Sequence, residues 1–143
     1  MKASGGALLG NVLVDTGPLV AMLNGRDHQH ATVLRQLARL KPPFITCEAV
    51  LAEATHLVRH LPGGRAALLE MVDEGFLSVG LQLSAQATEL LTLVKRYTSV
   101  PMSLADACMV RLAELNPRSS VWTFDSDFAV YRKNGRQVIA LIV

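Results

Sequence analysis

The chain is poor in cysteine, poor in aromatic residues and nearly balanced in charge, and each shortage narrows what it can be. Its two cysteines, Cys47 and Cys108, stand far apart without a CxxC or any other zinc-type spacing. They point to reduced core residues rather than to a disulfide or a metal pair. The single tryptophan, Trp122, and Phe124 alternate around Thr123 as strand residues do, so they read as packing groups rather than base-stacking ones. A net charge of +2 is too small to mark a nucleic-acid binder by itself. Apolar runs stop short of the roughly 20 residues a membrane span requires, and MKASGGALLG is a weak signal-peptide core. A cytoplasmic protein without a membrane role is expected.

What is present is a sizeable hydrophobic complement, half of the 143 residues, which suits one domain with a buried core. Residues 1–10 read as a flexible leader and residues 11–143 as the domain. Short β-rich runs alternate with helical patterns: NVLVD before GPLVAMLN, PFITC before EAVLAEATHLVRH, GFLSVG before a long amphipathic segment, then SVWTFD and finally QVIALIV. That rhythm predicts an α/β fold with a central, mainly parallel sheet. Asp27 is read as the N-cap of a helix through Val33, Leu34, Leu37 and Leu40. A helix opening near Thr46 or Cys47 is expected to run to the breaker Pro62-Gly63-Gly64, and the next from about Arg65 to Asp73. Ala87, Leu90, Leu91 and Val94 fall on one face of a helix within Ser84–Thr98. Pro101 and Ser103 open a further helix that Pro117 ends.

Acids then carry the functional signal. Asp15 ends the first strand in VLVDTGPL, and Asp125 ends the fourth in VWTFDSDF, with Asp127 two residues on. Glu53 and Asp106 interrupt largely apolar helices, in VLAEATHLV and SLADACMV, where they are expected to face inward or toward a cleft. In an open parallel sheet, sites form beyond the carboxyl ends of the strands, where strand order reverses. Four carboxylates converging there repel one another and invite a divalent cation. Oxygen ligands without His or Cys favour Mg²⁺, or Mn²⁺ in its place, over zinc. Such an ion suits phosphodiester hydrolysis. Of the 12 acidic side chains, setting these four aside leaves eight against 14 basic ones, a rim that suits a phosphate backbone.

These residues together resemble the PIN domains, in particular the VapC-like ribonuclease toxins of toxin–antitoxin pairs. The resemblance runs from about Asn11 to Val143 and rests on VLVDTGPLVAML, ITCEAVLAEATHL, LADACMVRLA and VWTFDSDF, with NGRDHQHATVL as an approach to the second helix. It implies a three-layer α/β/α domain and a Mg²⁺-dependent endoribonuclease. The acids Asp15, Glu53, Asp106 and Asp125 would form the metal site, and Asp127 would supplement or replace Asp125. Thr16 and Thr123 would be the accompanying hydroxyls that orient a carboxylate. It further implies an RNA substrate, a cognate antitoxin and a homodimer.

Blander readings stand beside this one. Asp15 and Asp125 can each cap the following helix. Glu48 fits a first helical turn. Glu53 and Asp106 can be structural, paired with Arg59, Arg65 or Arg111. His56 and His60 share a helical spacing but lack a third ligand, and His28 and His30 read as surface residues. Arg26, Arg35, Arg39 and Lys41 read as a solvated face. A phosphoaspartate or receiver-type protein is disfavoured, because Gly17 occupies the place of the second acid in a DxD pair. A non-catalytic RNA- or protein-binding module is separated from a nuclease by whether it binds metal.

Overall fold

Strand β1 (Asn11–Val14) is buried from Val12 onward, as a strand covered on both faces should be, and it lies inside the sheet rather than at its edge. The structure, a computed structural model, describes residues 10–143, so the expected leader falls, Gly10 aside, outside the described residues. Helices α1 (Thr16–Leu23) and α2 (His30–Leu37) lead to β2 (Phe44–Thr46). Helices α3 (Glu48–Leu57) and α4 (Gly64–Asp73) lead to β3 (Leu77–Val79). A 3₁₀ turn (Leu83–Gln86) precedes α5 (Ala87–Arg96), and α6 (Leu104–Leu115) leads to β4 (Ser119–Trp122). A second 3₁₀ turn (Ser126–Ala129) is followed by the small hairpin of β5 (Arg132–Lys133) and β6 (Gln137–Val138).

The four main strands are parallel in the order β3-β2-β1-β4. The chain builds outward from β1 through β2 to β3, then returns to lay β4 on the other side of β1. Strand order therefore reverses between β1 and β4. Their register, Val14 opposite Trp122, brings Asp15 beside Thr123 at the carboxyl edge, and the Asp15 N–H donates to Trp122 O at 2.9 Å. Helices flank the sheet, with α1 packed on α2, α3 and α4, and α6 packed on α5, β1 and β4.

Phe44, Phe76 and Trp122 meet edge to face in the core, and the Trp122 indole N–H donates to buried Gln36. Trp122 is a packing group, as its strand position predicts. Phe124 is half-buried, and its ring lies over Gly17, where a Cβ would approach Phe124 Cδ2 to 3.3 Å.

Several expected boundaries move. Helix α2 is N-capped at Gln29, not Asp27; the Asp27 side chain instead accepts from the Gln29 N–H in a turn before the helix. Helix α3 ends at Leu57, ahead of Pro62, because residues 58–63 coil through turns to reach Gly63 in the left-handed region at φ +71°. On α5 the buried residues are Leu90 and Leu93, whereas Leu91 is 54% and Val94 40% exposed and Ala87 is exposed. The tail QVIALIV is not one strand. Gln137–Val138 pairs back on β5, and only Leu141 bridges Val121 in parallel at the β4 edge. Helix α6, by contrast, opens at Ser103 and stops before Pro117 as expected. No helix is long and apolar enough to cross a membrane.

Candidate metal centre

The carboxyl edge of β1 and β4 opens into a cleft of about 550 Å³ lined by Asp15, Thr16, Glu53, Asp106, Asp125 and Asp127, with Asp27 and Ser103 at its margin. Every acid singled out from the sequence is there. Asp106, Asp125 and Asp127 are the tightest group: one oxygen from each lies within 4.8 Å of the others. Asp15 and Glu53 line the same cleft outside that group. Both Asp125 and Asp127 face the site, so the pair is shared rather than alternative.

The local chemistry shows how each acid is held. Asp15 occupies the N-cap position of α1, but its side chain makes no cap bond; it accepts from Thr123 Oγ1 at 2.7 Å. That hydroxyl in turn accepts from the Asp125 N–H at 3.0 Å, so its one proton is committed to Asp15 and it couples the two strand ends. Thr16 Oγ1 donates to Glu53 Oε1 at 2.5 Å, reaching from α1 to α3. Asp106 closes a capping box with Ser103, its N–H donating to Ser103 Oγ and its Oδ2 accepting from the Ser103 N–H. Tyr131 donates to that same Oδ2 at 2.9 Å. Asp125 does cap the short turn after β4, its Oδ1 accepting from the Asp127 N–H at 2.9 Å. Capping and facing the cleft are compatible, because each of these bonds occupies one carboxylate oxygen.

Burial raises the Asp15 carboxyl to about 6 from its ordinary 3.8; the Thr123 hydroxyl and Thr16 N–H oppose the rise, while the charges of Asp106 and Asp125 add to it. Asp106 is raised too, first by burial and further by Asp125, against the bonds from Tyr131 and Ser103. Burial, followed by the bond to Asp106, pushes the Tyr131 phenol above its usual range, so it stays a donor.

Two of the arginines that sequence offered as structural partners bond elsewhere. Arg59 donates to His56 O, and Arg111 pairs with Glu114 and Gln86. Among the described residues, Arg111–Glu114 and His28–Asp27 are the ion pairs, and neither involves the five acids of the centre. His56 and His60 gather no third ligand among the described residues. His28 is a surface residue, but His30 is half-buried, its Nδ1 2.6 Å from Ala21 O. Cys47 and Cys108 are buried free thiols.

Sequence reasoning missed Tyr131 and misassigned Asp27. Tyr131 lies in YRKNGR, which reads only as a hairpin approach, and it meets Asp106 across 25 residues of chain. The NGRD approach was visible, yet a cap and a cleft wall use the same residue type.

An all-oxygen donor set fits a hard divalent cation: clustered carboxylates, four of the five with one oxygen anchored, without a cationic partner. Fold and site thus define an α/β domain of the acid-cluster kind, with its centre at the strand-order reversal. The PIN domain family matches residues 12–134, and the chain belongs to that family. Its fold is similar to that of VapC20 of Mycobacterium tuberculosis, described as a toxin that cleaves the sarcin–ricin loop. The TM-score is 0.76 at 22% identity, over 84% of this chain and 94% of that one. A comparison with curated proteins gives no match.

Proposed function

We propose that the protein is a Mg²⁺-dependent endoribonuclease of the VapC type, the toxin of a toxin–antitoxin pair, with Mn²⁺ able to substitute. The observation that carries this reading is the cleft itself: Asp27 apart, five carboxylates line it, three within reach of one ion, and no described cation neutralises those five. A bound divalent cation supplies charge neutralisation at a phosphodiester and makes water a stronger acid. The chain's part is to hold and orient. Asp106, Asp125 and Asp127 would hold the ion, with Asp15 and Glu53 facing it directly or through water. Thr123 and Thr16 fix the rotamers of Asp15 and Glu53, and the half-buried Phe124 helps wall the site. The family supports the RNA-cleaving activity, and the likeness to VapC20 supports an antitoxin partner; the homodimer rests on sequence resemblance.

The test is cleavage of a structured-RNA pool, with a sarcin–ricin-loop oligonucleotide as a separate arm. Wild type and Asp15→Asn are compared in Mg²⁺, Mn²⁺ and EDTA. Metal-dependent cleavage lost in the variant supports the reading. Wild-type protein that binds neither ion and cuts neither RNA makes the acids structural and the chain a non-catalytic module.

A further inference from the structure

Asp106 is the acid of the tight trio that is held most completely. Ser103 N–H and Tyr131 OH converge on Oδ2, at 3.3 and 2.9 Å, and no described hydrogen bond falls on Oδ1. The two anchors differ in kind. Ser103 is an exposed residue on the same helix end, so its bond moves with α6. Tyr131 comes from the far side of β4, is fully buried, and stacks edge to face on Tyr97 at 5.1 Å and Phe128 at 5.2 Å. Tyr97 in turn accepts from the Arg132 N–H at 2.8 Å, which pins the backbone beside Tyr131. The Tyr131 hydroxyl therefore has little freedom to follow Asp106 if that carboxylate turns. Phe128 directly follows Asp127, so this aromatic group also fixes the segment that carries the third acid.

We propose that Tyr131 is a positioning residue for the cation: by holding Asp106 Oδ2 from a rigid aromatic cluster, it presents Oδ1 as a single-oxygen ligand facing Asp125 and Asp127. This rests on the cation-binding part of the reading above and not on RNA cleavage. A ligand oriented by an outer partner loses affinity when that partner is removed, by about 10- to 100-fold.

The experiment measures Mn²⁺ affinity by calorimetry on the full chain. Tyr131→Phe, which deletes one hydroxyl and keeps the ring, is expected to weaken Mn²⁺ binding by at least about tenfold. Tyr97→Phe deletes the hydroxyl that accepts from the Arg132 N–H and does not touch Asp106, so it is expected to weaken binding clearly less than Tyr131→Phe. In an Asp106→Asn background the Tyr131→Phe change should add no further loss, since its effect runs through Asp106. A second readout needs no change at position 131. The chain has two tyrosines, so 3-fluorotyrosine labelling gives two ¹⁹F signals that Tyr97→Phe assigns. Saturating Mg²⁺ should move the Tyr131 signal more than the Tyr97 one. Unchanged affinity in Tyr131→Phe, an equal loss in Tyr97→Phe, or a loss that persists beside Asp106→Asn overturns the proposal, as does a silent Tyr131 signal. Wild type that binds Mn²⁺ but cuts no RNA sinks the nuclease and leaves this assignment standing; wild type that binds no Mn²⁺ removes both.

Discussion

Two of the clefts that hold acids in this molecule treat them in opposite ways. Between α5, α6 and the β5–β6 hairpin, Glu114 is nearly covered, but Arg111 lies 3.1 Å from it, the Asn134 N–H donates to its other oxygen at 2.6 Å, and Gln86 takes the remaining reach of Arg111. Glu114 and Arg111 thus satisfy each other, and the result ties a hairpin to two helices. At the carboxyl edge, Asp15, Glu53, Asp106 and Asp125 receive only hydroxyls and backbone N–H groups, and no described bond falls on the Asp127 carboxylate. Those bonds orient a carboxylate without neutralising it. A satisfied acid is architecture; an oriented acid left without a counter-charge is a place for something to bind.

The comparison is open to breakage by substitution. The largest expected effect is on chemistry: Asp15→Asn should reduce metal-dependent RNA cleavage at least about a hundredfold, several kcal/mol of lost charge stabilisation. Measured cleavage rates with excess Mg²⁺ check it, and near-wild-type turnover would move Asp15 out of the centre. The same substitution should stabilise the metal-free protein. Folding raises the Asp15 pKa from 3.8 to about 6, so the folded state keeps a proton that the unfolded chain releases. Stability therefore falls as pH rises through about 4 to 6, with a full cost of about 3 kcal/mol above that window. Urea melts in EDTA at about pH 4 and pH 8 should show Asp15→Asn gaining at the higher pH and matching wild type near the lower. An equal gain at both would deny that charge burial is the cause.

Glu114→Gln should do the reverse, losing about 1–3 kcal/mol of stability because Arg111 is left half-buried without its partner, while cleavage stays at the wild-type rate. A fall in cleavage at unchanged stability would mean that the second cleft is not mere architecture. The smallest effect is expected at Leu91, on the outward face of α5. Leu91→Ala should change stability by no more than about 0.5 kcal/mol, a value that thermal melts beside Leu90→Ala would check.

That last contrast shows where the sequence was readable. The buried runs at β1 and β2 and the Val121-Trp122 end of β4 stand out because they are apolar where the chain is covered and stop at a turn. The strand-end acids are visible for the same reason, as charges where the pattern changes. On α5 two apolar stripes satisfy the helical period, Leu90-Leu93-Tyr97 and Ala87-Leu91-Val94, and only packing against α6 chooses the first. The tail failed for a related cause: QVIALIV has strand composition, but its available partners are one edge of β4 and a two-residue β5. Tyr131 carries no local sign of its role, since its partner stands on another element.

The position of β1 between β2 and β4 also has a meaning in time. During synthesis Asp15 and Glu53 emerge early, yet the bond that orients Asp15 comes from Thr123, 108 residues later. Closing a loop of that length costs about 4 kcal/mol of chain entropy before the β1–β4 contacts repay any of it. A ribosome-bound chain lacking β4 thus carries three of the five acids without the hydroxyl that aligns Asp15 or the wall that gathers them. The centre is complete only with the last fifth of translation, so nothing that needs all five acids aligned can be bound until nearly all of the chain exists.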